Sequence, residues 1–293
     1  MKLALIGCGL LGGSLAAAWR RAGRISEVVG HDRVADHAAR ALAHGVVDRV
    51  AATPAEAVRG AGVVVLATPV GAMAALFAEL AHHTAPGAIL TDVGSTKAGI
   101  IAQARAALGV GFARFVPAHP IAGGALPGIE HASAGLFAER WVILTPQADT
   151  DPDALQWVAQ SWQACGASVE PMDAAEHDRI FAAVSHLPHV LAFALVDLIA
   201  GQPDGARKLQ FAGAGFRDFT RIAASDPVMW RDIALANAPA LGGELRAFRA
   251  HLDALQAAVD AGDGEGLRRL FERASRVRRE QRFGAAVPEG YGD

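Results

Sequence analysis

Near the N-terminus, Gly7-Cys8-Gly9-Leu10-Leu11-Gly12 has the spacing G-x-G-x-x-G directly after the apolar run "KLALI". In such a turn the first glycine permits a tight bend, the second lets a pyrophosphate approach the backbone, and the third lets a helix pack closely on a strand. Phosphates would face the free N–H groups around Leu10 and Leu11 and the positive end of the helix dipole. Asp32 falls twenty positions after Gly12. A carboxylate there accepts hydrogen bonds from ribose hydroxyls and repels a 2′-phosphate, so NAD is expected as cofactor. Arg33 follows at once and would tolerate that phosphate, which leaves NADP as the less favoured choice. Thr68-Pro69 closes the β-like run "GVVVLATP" and would lie on the same carboxyl edge, the usual ligand crevice of an open α/β sheet.

A nicotinamide needs a partner group to manage the substrate's proton. "DVGSTK", with Gly94 and Ser95, and "PAHPIAGG", with His119, both sit where strands end. An imidazole titrates near neutrality and suits a general base; the plainer reading of His119 is a packed or capping side chain. "SHLPH" holds Ser185, His186 and His189. The two histidines are neighbours on a helix face, a spacing that suits a metal, but no nearby Cys or carboxylate completes a set and none is expected. Arg221, in "FRDFTRIAASDPVMW", is flanked by aromatics. It is either a surface arginine paired with Asp218 or a clamp for a substrate carboxylate.

The elements that must position these residues are legible from periodicity. In the first half, short apolar runs ("KLALIG", "EVVGHD", "GVVVLATP", "AILTDVGS", "RFVPAHP", "RWVILTP", "SVEPM") alternate with helical stretches. That alternation predicts βαβ units and a mainly parallel sheet. Thr53-Pro54 and Asp151-Pro152 read as N-caps with proline in the first turn; Gly23 and Gly45 read as helix stops. After about Asp173 the strand signals cease and only helical patterns follow, with a kink or break expected at Pro188. The expected organisation is therefore a dinucleotide-binding α/β domain of the Rossmann type over 1–173, an all-α domain over 174–283, and a disordered tail over 284–293.

Composition excludes several classes. The chain has 293 residues, 52% of them hydrophobic, and a net charge of −3, which gives no case for a nucleic-acid or membrane partner. Cys8 and Cys165 are the only cysteines, too few for a disulfide framework, so a reducing compartment is expected. "MKLALIGC" superficially resembles an export signal. Five residues separate Lys2 from Cys8, whereas an export core needs about 7–15 apolar residues. No uninterrupted apolar run reaches the roughly 18 residues a bilayer span needs; the densest, around Val190 to Ala200, contains Asp197. A cytoplasmic protein is expected.

Taken in order, "IGCGLLGGSLA", "TDVGSTK", "AHPIAGG", "SHLPHVLAFALVD" and "GFRDFTRIAASDPVMWRDI" resemble the prephenate dehydrogenases, also called arogenate or cyclohexadienyl dehydrogenases, of the TyrA family. The resemblance runs from residue 3 to about 235. It implies a Rossmann domain that binds NAD(P), a helical domain that forms a homodimer, and oxidative decarboxylation of a cyclohexadienol. By resemblance, His119 accepts the hydrogen bond and then the proton of the ring hydroxyl. Ser95 bonds the same hydroxyl and lines the nicotinamide site. His189 and Arg221 bind the substrate, Arg221 through a carboxylate. Ser185 and His186 support them, and Trp230 lies near the pocket wall.

One departure bears on specificity. Many members read H-P-I-A-G-x-E-x-S-G, whereas here Ala125 stands in the glutamate position and Pro127 in the serine position. The missing carboxylate favours the keto acid prephenate over the amino acid arogenate, since an ammonium loses a partner. The regulatory domain some members carry is not expected here, so any tyrosine feedback is expected at the active site. Two other readings compete. A β-hydroxyacid dehydrogenase needs a catalytic lysine on a helix of its second domain, and Lys208 in "GARKLQ" lacks the expected asparagine partner. A non-catalytic NAD-responsive protein would have no need to combine His119, Ser95 and Arg221.

Overall fold

The computed structural model describes residues 1–123 and 126–281. The disordered tail expected over 284–293 lies outside the described residues. The chain divides between His177 and Asp178 into two compact units.

In the first unit, β1 (Lys2–Ile6), β2 (Glu27–His31), β3 (Arg49–Val50), β4 (Val63–Leu66), β5 (Ile89–Asp92) and β6 (Phe115–Val116) form a parallel sheet in the order β3-β2-β1-β4-β5-β6. Helices α1 (Leu10–Arg21), α2 (Ala35–Ala43), α3 (Pro54–Ala57), α4 (Met73–Leu80) and α5 (Ala98–Leu108) join the strands. All four residues of β4 are buried, which accounts for its unbroken Val-Val-Val-Leu sequence. The sheet order reverses direction between β1 and β4, and open α/β sheets place ligands at such a switch point. Register matters here. Ile6 pairs with both His31 and Leu66, and Leu66 pairs with Asp92. The residues after β1, β2, β4 and β5 therefore leave the sheet side by side.

The two expected proline-led N-caps form: Thr53 accepts from the Glu56 N–H and Asp151 from the Ala154 N–H. The single strand expected at "RFVPAHP" does not form. Pro117 has no N–H for a ladder, and the chain changes sheet there. Beyond β6 it enters a second sheet of β7 (Ala118–Pro120), β8 (Trp141–Leu144) and β9 (Ser168–Pro171), in which β7 and β8 are antiparallel. Helix α6 (Pro152–Gln163) links β8 to β9. Trp162 and Trp157 pack edge-on against Trp19 of α1, with ring centroids 5.8 and 5.3 Å away.

Helix α7 (Ala174–Phe181) carries the chain into the second unit. There α8 (Leu187–Ala200), α9 (Gly205–Gln210), α10 (Ala214–Thr220), α11 (Pro227–Ala236), α12 (Ala238–Asp260) and α13 (Gly264–Glu280) follow, with no strand among the described residues. The break expected at Pro188 takes the form of a π turn, Ala182–His186, which puts the proline in the first turn of α8. The helical run continues through that turn, so the proline removes one N–H donor next to the π turn without ending the helix. By length and composition alone, the helical run Ala174–Ala200 could cross a bilayer, its most apolar 18 residues having a mean hydropathy of 1.7. The sequence offered no uninterrupted apolar run of that length, and one such helix is weak evidence of a span, because the core helix of a soluble protein passes the same test.

Candidate active site

The glycine turn begins at the carboxyl end of β1. Gly7 has φ +102°, and a Cβ there would stand 2.4 Å from the Ala67 carbonyl oxygen, so no side chain fits. Ala67 and Thr68 directly follow β4, and the turn lies against them. A Cβ at Gly12 would stand 2.2 Å from the Gly7 carbonyl oxygen, so α1 can start this close only with glycine. At Gly9 no described atom lies within 4 Å of the Cβ position, which faces open space. Gly9 caps α1 with no side-chain hydrogen bond, and the first turn holds no acidic residue. The amides of Leu10, Leu11 and Gly12 are thus left for an anion.

Asp32, just past β2, is held by its own backbone. Its Oδ2 accepts the Cys8 N–H at 2.9 Å and its Oδ1 the Val34 N–H at 2.9 Å. The Cys8 bond ties the carboxylate to the glycine turn and fixes its orientation, and each oxygen keeps lone-pair capacity for a diol. Arg33 beside it is exposed. These residues fit a dinucleotide: a cradle without side chains, unpaired helix amides and an anchored carboxylate. Burial and the Asp32 charge push the Cys8 thiol up to about 12, so Cys8 is a packing residue in the turn.

Beyond β5, a buried ion pair organises the next two candidates. Asp92 ends β5, and its Oδ2 accepts from Lys97 Nζ at 2.5 Å, both side chains being fully buried. The same oxygen accepts the Gly94 N–H at 2.9 Å, and Oδ1 accepts the Ala118 N–H at 3.1 Å. Lys97 Nζ also donates to the Ala118 carbonyl at 2.8 Å. Asp92 and Lys97 therefore grip both polar groups of Ala118, the residue before His119. The loop that carries Gly94 and half-buried Ser95 is bolted to the strand that carries His119. His119 is 8% exposed, and its Nδ1 lies 2.8 Å from Nε2 of fully buried His177 on α7.

In the second unit a different group assembles. His189 stacks on Trp230, with ring centroids 3.6 Å apart and planes 18° from parallel. Nδ1 of His189 donates to the Ser185 carbonyl one turn back, at 2.9 Å. A carbonyl only accepts, so Nδ1 carries the hydrogen and Nε2 keeps the lone pair. Burial, followed by the nearby Arg221 charge, holds His189 below the usual histidine range despite that bond. Buried His186 meets Trp230 edge-on and lies 3.1 Å, ring Nδ1 to Nδ2, from Asn237, which also donates to the Asp178 carbonyl. Arg221 opens a 3₁₀ turn after α10 and is exposed, and no ion pair with Asp218 forms among the described residues.

The first unit thus sets Gly7, Gly9, Leu10, Leu11, Gly12, Asp32, Thr68, Pro69, Gly94 and Ser95 after the carboxyl ends of β1, β2, β4 and β5, with His119 on β7 of the second sheet, tied to the Ser95 loop through Ala118. The second brings Ser185, His186, His189 and Trp230 together, with Arg221 near His189. Sequence reasoning passed over Asp92, Lys97, His177 and Asn237. "DVGSTK" held a signal for the first two, an acid and a base five apart around a loop. His177 has none, because 58 residues separate it from its partner.

Residues 15–171 match the family model described as the nucleotide-binding domain of prephenate dehydrogenase, and residues 173–273 match its dimerization domain. The chain belongs to the prephenate dehydrogenase family. It is accordingly an NAD-dependent oxidoreductase. Its relatives in that family include the cyclohexadienyl dehydrogenase of Zymomonas mobilis, 36% identical over 278 residues, which are 94% of each chain. The prephenate dehydrogenase of Bacillus subtilis is 35% identical over 94% of this chain and 74% of its own. Prephenate dehydrogenase from Aquifex aeolicus, solved with hydroxyphenyl propionate and NAD+, superposes with a TM-score of 0.88 at 33% identity, covering 96% of this chain and 98% of the other.

Proposed function

We propose that this enzyme converts prephenate to 4-hydroxyphenylpyruvate with NAD+ as oxidant, in tyrosine biosynthesis. One observation carries the chemistry: a buried histidine, His119, is tied through Asp92 and Lys97 to the loop of Ser95 on the edge where the glycine turn opens. NAD+, when bound, supplies the two-electron acceptor for the hydrogen on the carbinol carbon. His119 takes the hydroxyl proton through a neutral imidazole, which suits a reaction near pH 7. Ser95 bonds the same oxygen and keeps it facing the base. The ring carboxylate leaves as CO2, its bonding electrons complete the aromatic ring, and the resulting phenolate oxygen takes the proton back from His119, so no metal is needed for the balance.

Arg221 is proposed to bind a substrate carboxylate, a role that suits an exposed guanidinium with no acidic partner among the described residues. His189, neutral and with a bare Nε2, is proposed to accept a substrate hydrogen bond. Trp230 fixes its ring plane, and Ser185 and His186 hold the surrounding helix turn. Asp32, Thr68, Pro69 and the glycine turn are proposed to bind NAD, with Arg33 leaving some tolerance for NADP.

The alternative substrate is arogenate, alone or beside prephenate; the Zymomonas relative is named for the wider cyclohexadienyl class. Ala125, on which the sequence argument for prephenate rests, lies outside the described residues. We propose a homodimer through the C-terminal helices. Val184 and Leu198 on the apolar Ala174–Ala200 run are 67% and 62% exposed in the single chain, a surface that calls for a partner. Tyrosine, which shares the product's phenol, is proposed to inhibit at the active site. Two buried free thiols, Cys8 and Cys165, support a reducing, cytoplasmic location.

The test is a two-by-two comparison of kcat/KM for prephenate and arogenate with NAD and NADP. The reading predicts prephenate with NAD as the best pair. Turnover of neither substrate would overturn it.

A further inference from the structure

The contact between His119 and His177 carries more than packing. A bond between two imidazole nitrogens needs a hydrogen on one and a lone pair on the other. If His177 Nε2 carries the hydrogen, neutral His119 must hold its own hydrogen on Nε2 and cannot act there as a base. If His119 Nδ1 carries it, His119 Nε2 is left with the lone pair that a base requires. We propose that His177 is a positioning residue whose Nε2 accepts the His119 Nδ1–H, fixing the reactive tautomer and ring plane of the base. This deepens the reading of His119 as the proton acceptor and rests on it.

Both rings are mounted rigidly. Asp173 Oδ1 accepts the N–H groups of Ala175 and Glu176 at 2.8 and 3.1 Å, and the Asp173 carbonyl accepts the His177 N–H at 2.8 Å. That capped first turn fixes where the His177 ring begins. His119 pairs with Ile143 in the second sheet, and Ala118 before it is gripped by Asp92 and Lys97. The ring centroids lie 5.0 Å apart with planes 64° from parallel, an edge-on approach that aims one ring nitrogen at the other.

The arrangement also favours the product state of proton transfer. Once protonated, His119 has hydrogens on both nitrogens, and its bond to neutral His177 becomes charge-assisted and stronger. Protonation of His177 first would cancel the acceptor and put a cation beside the base. The acid limb of activity therefore belongs to the pair rather than to one ring. Asp92 and Lys97, an ion pair, bond to Ala118 of β7. On α7, His177 is flanked by exposed Glu176 and buried Asp178. From β8 the facing residue is apolar Ile143.

The test compares His177→Leu, which keeps bulk and loses the acceptor, with His177→Gln, whose side-chain oxygen can still accept from Nδ1. His177→Leu should lower kcat about 10–100-fold, by analogy with the loss of partners that orient metal-binding histidines, with KM for NAD unchanged. His177→Gln should recover most of that loss, and its acid limb should become that of a single group. Wild-type activity in both variants would overturn the proposal, and so would equal impairment in both, which marks a merely structural role. A nitrogen-15 histidine spectrum of the full-length wild-type protein decides independently of substrate and of whether His177→Leu folds. Hydrogen on His119 Nδ1 with a bare Nε2 supports the proposal, and the reverse tautomer overturns it. Should wild type turn over neither prephenate nor arogenate, the functional reading fails while the spectrum still settles the tautomer.

Discussion

Lys97→Met tests the clamp that positions His119. Methionine fills most of the lysine's volume but removes the ammonium, and the Asp92 carboxylate stays in a site where both side chains are fully buried. Removing one partner of a buried pair costs about 3–5 kcal/mol. The carboxylate keeps the Gly94 and Ala118 N–H donors, so the lower end, about 3 kcal/mol, is expected. At about 2–4 °C per kcal/mol for a unit of this size, Tm falls by about 6–12 °C. Adding Asp92→Asn removes the orphaned charge, keeps an oxygen for the Ala118 N–H, and should recover at least half of the loss. Urea unfolding and calorimetry report this, read on the transition of the N-terminal unit because two units need not unfold together. The activity of Lys97→Met should fall through kcat, since the Ala118 carbonyl loses a donor next to His119. Stability within about 0.5 kcal/mol of wild type would refute the reasoning, given that exposed pairs cost about that much. A double variant no better than the single one would refute it too.

Other expectations follow from the same geometry. Asp32→Asn keeps a side-chain acceptor near Cys8 and Val34 but loses the charge; the preference for NAD over NADP should shrink at least about tenfold, and steady-state kinetics with both cofactors check it. Cys8 in the native enzyme should resist alkylation at neutral pH and react on unfolding, because its thiol is raised to about 12; mass spectrometry after timed iodoacetamide treatment reads this directly. His189 titrates below its ordinary value of 6.5, so the unfolded chain binds the proton more readily than the native one. Its contribution to stability is complete above that pH and is lost as pH falls towards the native value. His189→Gln should flatten that part of the stability–pH curve.

Much of the fold was legible because its signals are local. Glycine spacing, proline-led caps and apolar runs of strand length placed the parallel sheet, α1, α3 and α6 without tertiary information. "RFVPAHP" was misread because a β-like run does not reveal that its two halves pair with different neighbours. Only Pro117, a missing donor in mid-run, hinted at the change of sheet. The two-residue strand β3 is too short to show periodicity. Within the site, residues of distinctive chemistry on loops and a short strand stood out: the glycine turn, Asp32, Ser95 and His119. What holds them did not. The grip of Asp92 and Lys97 on Ala118 and the contact of His177 with His119 depend on register and on which rings face each other, and these exist only once the chain has folded.

The central claim is that His119 is the base of an NAD-dependent dehydrogenation of prephenate. His119→Asn tests it most directly, because the change removes the titrating ring and leaves the glycine turn and Asp32 untouched. Formation of reduced nicotinamide from prephenate should fall by at least about a hundredfold, the ordinary worth of a positioned base, while NAD+ binding by calorimetry stays unchanged. Wild-type turnover by His119→Asn, with NAD+ bound as before, would contradict it.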